Sequence, residues 1–82
     1  MEQGKTRTFA EIAREIRATW KNVYFGARPY LAAMQTINSS DKHASYMFET
    51  AEDIVIYFLA NAQTWRGEDA RRIKAELKSM IK

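Results

Sequence analysis

The chain has 82 residues, of which 46% are hydrophobic and ten are aromatic, with a net charge of +3 and no cysteine. This length and composition describe one domain with enough apolar material for a core, and they argue against disorder. The lack of cysteine excludes a disulfide framework, thiolate zinc sites and a cysteine nucleophile, and it favours a reducing compartment.

The stretch Met1 to Thr8 is polar and does not resemble a signal peptide, so a cytoplasmic location is expected. The longest strictly apolar run, Ile54 to Ala60, is far short of the roughly 20 residues of a membrane span, so no membrane role is expected. Charge is unevenly spread: residues 1–30 carry +3, residues 31–60 carry −3 and residues 61–82 carry +3. Basic ends around an acidic middle either attract one another in the fold or offer basic faces to an anionic partner.

Residues 1–7 read as a flexible tail, followed by a single helical domain over 8–82. Thr8-Phe9-Ala10-Glu11 has the form of a capping box. Phe9, Ile12, Ala13, Ile16, Trp20, Val23 and Tyr24 follow at helical spacing, and Gly26 suits the helix end. Pro29 suits the first turn of a second helix that buries Tyr30, Leu31, Met34 and Ile37. Asn38 to Asp41 reads as a turn.

In the most apolar stretch, Met47, Ala51, Ile54, Val55, Phe58, Ala62 and Trp65 recur at helical spacing. Its start lies near Ser45, or at Thr50 with Asp53 as a weaker capping pair. Ile54 to Leu59 alone would pass for a buried strand, but the helical period extends beyond it on both sides. Gly67 precedes a fourth helix, with Glu68 and Asp69 at its start and Lys78 and Lys82 at its end, in the order the helix dipole favours. The expected fold is all-α, a small bundle of about four helices with the third central.

Three features are candidates for function. Arg14, Arg17 and Lys21 flank the apolar face of the first helix, and Arg71, Lys74, Lys78 and Lys82 flank that of the fourth. Adjoining stripes would bind phosphates. The simpler alternative is that their stems pack at the core border and their heads stay in water. The second helix is too apolar to read bases as a recognition helix does. Ile56 falls opposite the apolar face of the third helix, beside Tyr57, as an anchor for a partner or a second copy, unless another helix covers it. Trp65-Arg66 has the composition of a binding hot spot, although a tryptophan beside Gly67 also suits a core cap at a turn.

His43, the only histidine, cannot make a zinc site alone, and no nucleophile motif accompanies it. No cofactor site is expected, because the three glycines are far apart and form no phosphate loop.

The stretches Arg7–Ala13 through Tyr24–Ala27, and Tyr57–Ala62 through Trp65–Lys74, resemble small proteins of unknown function encoded by bacteriophages and related mobile elements. That resemblance implies an accessory protein in the cytoplasm of a bacterial host and brings no site residues. The expected function is therefore non-enzymatic: protein–protein contact with host machinery, or a homodimer, through Ile56, Trp65 and Arg66. The alternative is nucleic-acid binding through Arg14, Arg17, Lys21, Arg71, Lys74 and Lys78.

Overall fold

A computed structural model describes residues 6–82. The described residues form α1 (Phe9–Thr19), a 3-10 turn (Phe25–Ala27), α2 (Arg28–Gln35), β1 (Ser45–Tyr46), β2 (Glu49–Thr50), α3 (Ala51–Ala60) and α4 (Glu68–Met80). The radius of gyration is 11.9 Å, close to the roughly 12 Å expected of a compact domain this size.

The capping box at the head of α1 forms as its sequence predicts. Thr8 Oγ1 accepts from Glu11 N–H at 3.1 Å, and Glu11 Oε1 accepts from Thr8 N–H at 2.8 Å. Two more N–H groups of the first turn donate to carbonyls beyond α2: Phe9 to Ser39 and Ala10 to Ile37. The start of α1 is thereby tied to the chain leaving α2, which satisfies donors that a helix start leaves open.

Helix α1 ends at Thr19 rather than running on to Gly26. The Thr19 hydroxyl donates to Glu15 and Ile16 carbonyls in its own last turn, a local bond that weakens a helix interior. Trp20 then turns extended, with φ −100° and ψ 93°. The helical spacing of Val23 and Tyr24 is therefore accidental. Gly26 lies inside the 3-10 turn, where a Cβ would come within 2.6 Å of the Tyr24 ring and 2.8 Å of Asn61 Oδ1. It is needed for close approach and not as a helix stop.

The fold is mostly helical but not purely all-α. Ser45 pairs with Thr50 and Tyr46 with Glu49 in an antiparallel hairpin. The pairing continues past it, as Ala51 N–H donates to Ala44 and Glu52 N–H to Lys42. Met47, expected on the apolar stripe of the third helix, sits instead in the two-residue hairpin turn at φ +55° and faces solvent. Helix α3 starts at the later of its two expected positions, on the Thr50–Asp53 capping box. Both reciprocal bonds of that box are 3.3 Å, longer than those at Thr8, as the shorter aspartate side chain would give.

Ile54 to Leu59 is helical, and the strand alternative fails. The helix stops at Ala60, so Trp65 lies in the connection to α4 and not on α3. Turn bonds from Asn61 to Phe58, Ala62 to Leu59 and Trp65 to Ala62 fold that connection inward and carry Ala62 and Trp65 into the core.

The core joins Phe9, Ile12 and Ile16 of α1, Leu31 and Met34 of α2, Ile54 and Phe58 of α3, and Ile73 and Leu77 of α4. Among the described residues no polar or charged side chain is buried. The most extensive helix–helix contact is between α1 and α2, and α2 also packs on α3. This puts α2 where α3 was expected, between two neighbours.

An ion-pair seam joins α1 to α4. Arg7 makes a fork to Glu76 (Nη2 to Oε1 2.7 Å, Nε to Oε2 3.0 Å) and reaches Glu15 at 2.7 Å. Arg72 bonds Glu15 at 2.8 Å and Asp69 at 3.0 Å. The expected tail over 1–7 lies outside the described residues as far as residue 5, and Arg7 itself is held by two carboxylates.

Candidate functional site

Two surfaces stand out, and they lie on different parts of the fold. The first is apolar. Helix α3 turns Ala51, Ile54, Val55 and Phe58 inward, which leaves Ile56 and Tyr57 on the opposite side, 47% and 41% exposed. No other helix covers Ile56, as a central third helix would have required. Tyr57 packs against Tyr30, with ring centroids 5.4 Å apart. Tyr24 lines a shallow depression with Ala60 and Asn61, and its ring meets that of Phe25 at 5.0 Å. The exposed aromatics Tyr24 and Phe25, at the start of the 3-10 turn, thus lie beside the C-terminal end of α3. Asp53, on that side of α3, gives it an acidic edge.

The hairpin tip is a separate apolar feature. Phe48 is fully exposed (101%) and Met47 nearly so (81%). Sequence reasoning missed both because Met47 fitted a helical stripe. The usable signal was that, of the two expected starts, only Thr50, with Asp53, has an acidic residue three places on, whereas Ser45 has Phe48 there, which left Met47 and Phe48 ahead of the better-capped start.

The second surface is basic and aromatic. Trp20 and Trp65 stack with ring centroids 5.3 Å apart and planes within 10°, and the edge of Phe58 meets both rings. Trp65, expected at a partner contact, is 4% exposed and belongs to the core, whereas Arg66 beside it is exposed. Lys74 Nζ donates to Trp65 O at 2.7 Å and lies 5.9 Å from the Trp65 ring centroid. Its pKa is lowered, first by burial and then by Lys78 and Arg66.

The two basic stripes do not meet across the α1–α4 seam, which Glu15, Arg72 and Glu76 occupy. Each lies on the far flank of its own helix. On α1, Arg17 Nε donates to Gln35 Oε1 of α2 at 2.6 Å, and Arg17, Lys21 and Arg28 gather around Trp20. Arg66, Arg71 and Lys74 gather around Trp65. Arg14 is exposed one turn further back along α1, and Lys78 one turn further on along α4. Arg28 and Arg66 were not assigned to a stripe by sequence, because Arg28 opens α2 and Arg66 lies in the connection between α3 and α4.

His43 is exposed, with its N–H donating to Asp41 Oδ1 in a local turn. Among the described residues no three His, Cys, Asp or Glu side chains are grouped as metal ligands would be. No helix of the described residues is long and apolar enough to cross a membrane.

Comparison with protein-family models, with curated proteins and with solved structures finds no match to this chain.

Proposed function

We propose that this is a non-enzymatic binding module that acts through protein–protein contacts. What supports the reading is the exposure of Ile56 and Tyr57 on α3 together with that of Tyr24 and Phe25, Tyr24 lining a depression with Ala60 and Asn61 at the end of the same helix. Scattered exposed apolar residues are ordinary, but a contiguous patch that includes aromatics is typical of contact surfaces. The core is complete without these side chains. Arg66 lies outside this patch, in the basic surface, and Trp65 contributes by holding the fold.

The fitting partner is a protein with an apolar contact surface edged by basic residues. Residues 31–60 carry −3, and Glu52 and Asp53 begin the helix that presents Ile56. Opposite charge at the rim would speed association and select the partner. The resemblance to phage-encoded proteins suggests a protein of a bacterial host.

The test compares proteins captured from nuclease-treated bacterial lysate by the wild type, Ile56→Asp and Phe25→Asp. A specific protein retained by the wild type and lost by both variants, and binding again when purified, supports the proposal. Identical capture by all three folded proteins would refute it. Sedimentation of the same variants separates a second copy from a foreign partner: a concentration-dependent mass that Ile56→Asp abolishes would make the partner another copy of this chain.

A further inference from the structure

The basic surface calls for a ligand of its own. Arg17, Lys21, Arg28, Arg66, Arg71 and Lys74 lie around one stacked ring pair, and among the described residues none of them forms an ion pair with a carboxylate. The acids of this region are otherwise engaged or displaced. Glu15 and Asp69 are bound by Arg72, and Glu76 by Arg7. Glu68 borders Arg71 and Arg72 at the start of α4, at the edge of the surface.

A set of cations that only neutralised the fold would be paired with the acids of the same helices, Glu15, Asp69 and Glu76. Here the seam takes up the acids and leaves the cations outside. The supporting elements also hold the charges in place. Lys74 is fixed by the Trp65 carbonyl, and Arg28 Nε donates to the Val23 carbonyl at 3.3 Å.

We propose that the surface on either side of the Trp20–Trp65 stack, with Arg17, Lys21 and Arg28 on one side and Arg66, Arg71 and Lys74 on the other, binds the phosphodiester backbone of nucleic acid without reading its sequence. Four of these six cations are arginine, and the guanidinium fork matches a phosphate better than an ammonium does. One group lines a depression at Trp20 and the other a depression at Trp65, and the two rings stack 5.3 Å apart, so the proposed path of the strand crosses the end of the core that the stack closes. The tryptophans are too buried for bases to stack on them, and the side chains offered beside them are arginine and lysine, whose first partner on a duplex is phosphate. Both facts favour recognition of the backbone. The proposal is independent of the apolar patch on α3, and the two fail or succeed on different residues.

The experiment is fluorescence anisotropy of the full chain with a labelled oligonucleotide of mixed sequence, single-stranded and duplex, at about 50 and about 200 mM salt. Engagement of about four phosphates predicts an affinity that falls by roughly two orders of magnitude over that range on duplex. Arg71→Glu and Lys21→Glu should each weaken binding about tenfold at low salt and flatten the salt slope by about one unit. Lys42→Glu makes the same change in net charge away from the surface and should have little effect. Circular dichroism verifies that each variant is folded. Equal weakening by Lys42→Glu, or no binding at about 50 mM salt, overturns the proposal. So does equally tight binding to polyglutamate of matched charge, which would make the surface one for acidic proteins instead.

Discussion

Met47 occupies a left-handed backbone position, φ +55°, at a hairpin turn where glycine or asparagine is usual. Its side chain touches solvent and contributes nothing to the core. Met47→Gly should therefore stabilise the domain by about 1 kcal/mol, seen as a higher urea midpoint with an unchanged slope. Gly67 is the opposite case. Its φ is +113°, and a Cβ would meet nothing within 4 Å. Gly67→Ala should still cost about 1–3 kcal/mol, because the cost lies in the backbone and not in a clash. Glu15 makes a third prediction. Arg72 and then Arg7 hold its carboxyl below the usual value of 4.5. The folded state therefore binds this proton less readily than the unfolded chain. The resulting stabilisation is present above about pH 4.5 and disappears as the pH falls through the lowered folded value. Urea midpoints of wild type and Glu15→Gln should differ at about pH 6 and converge toward about pH 3. A gap that stays constant with pH would show that the seam does not depend on that charge.

Among the elements, α3 depends most on how it begins. It has ten residues, too few to persist alone, and its first turn is closed by Thr50 and Asp53. The same threonine ends the hairpin, opposite Ser45. Thr50→Ala should destabilise the domain by about 1 kcal/mol. It should also speed amide exchange in both the hairpin and the first turn of α3, whereas Thr8→Ala should act on the first turn of α1 and its bonds to residues 37–39, leaving the hairpin protected. Protection that changes only within α3 would mean that hairpin and helix are not coupled through Thr50. The cap also explains the orientation of the proposed contact surface. Starting the helix at Thr50 sets Ile54 and Phe58 inward, and that phase leaves Ile56 and Tyr57 outward.

At the scale of the molecule, the tryptophan pair joins the core to the basic surface. Trp20 leaves α1 in extended form and Trp65 precedes α4, so neither ring is placed by its own helix. Their stack, with Phe58 at its edge, closes this end of the core. Trp20→Ala should cost about 3–5 kcal/mol, a large part of the stability of so small a domain. Thermal unfolding would register it as a sharply lowered midpoint, whereas Arg71→Glu should leave the midpoint nearly unchanged while weakening binding to nucleic acid. If the two variants behaved alike, the basic residues would be structural.

Much of the fold could be read from the sequence because local physics decides it. The Thr8 capping box, the first-turn proline of α2, the apolar period of α4 and the Thr50–Asp53 pair each act within a single turn of helix. Composition alone likewise excluded disulfides and thiolate metal sites. What it could not decide were features fixed by contacts far apart in the chain. Val23 and Tyr24 kept a helical spacing after α1 had ended, since spacing does not reveal that the chain turns extended at Trp20, whose ring stacks on Trp65 from a distant part of the sequence. Met47 fitted the stripe of a helix, yet the backbone bonds of Lys42 and Ala44 to residues 51 and 52 drew its segment into a hairpin. Ile56 and the basic side chains were visible as candidates. Only the packing of α1 against α4 showed that the acids are drawn into the seam and the cations left around the tryptophans. Helix caps and apolar periods are set by neighbours in sequence, whereas a surface is assembled from residues that only the tertiary structure brings together.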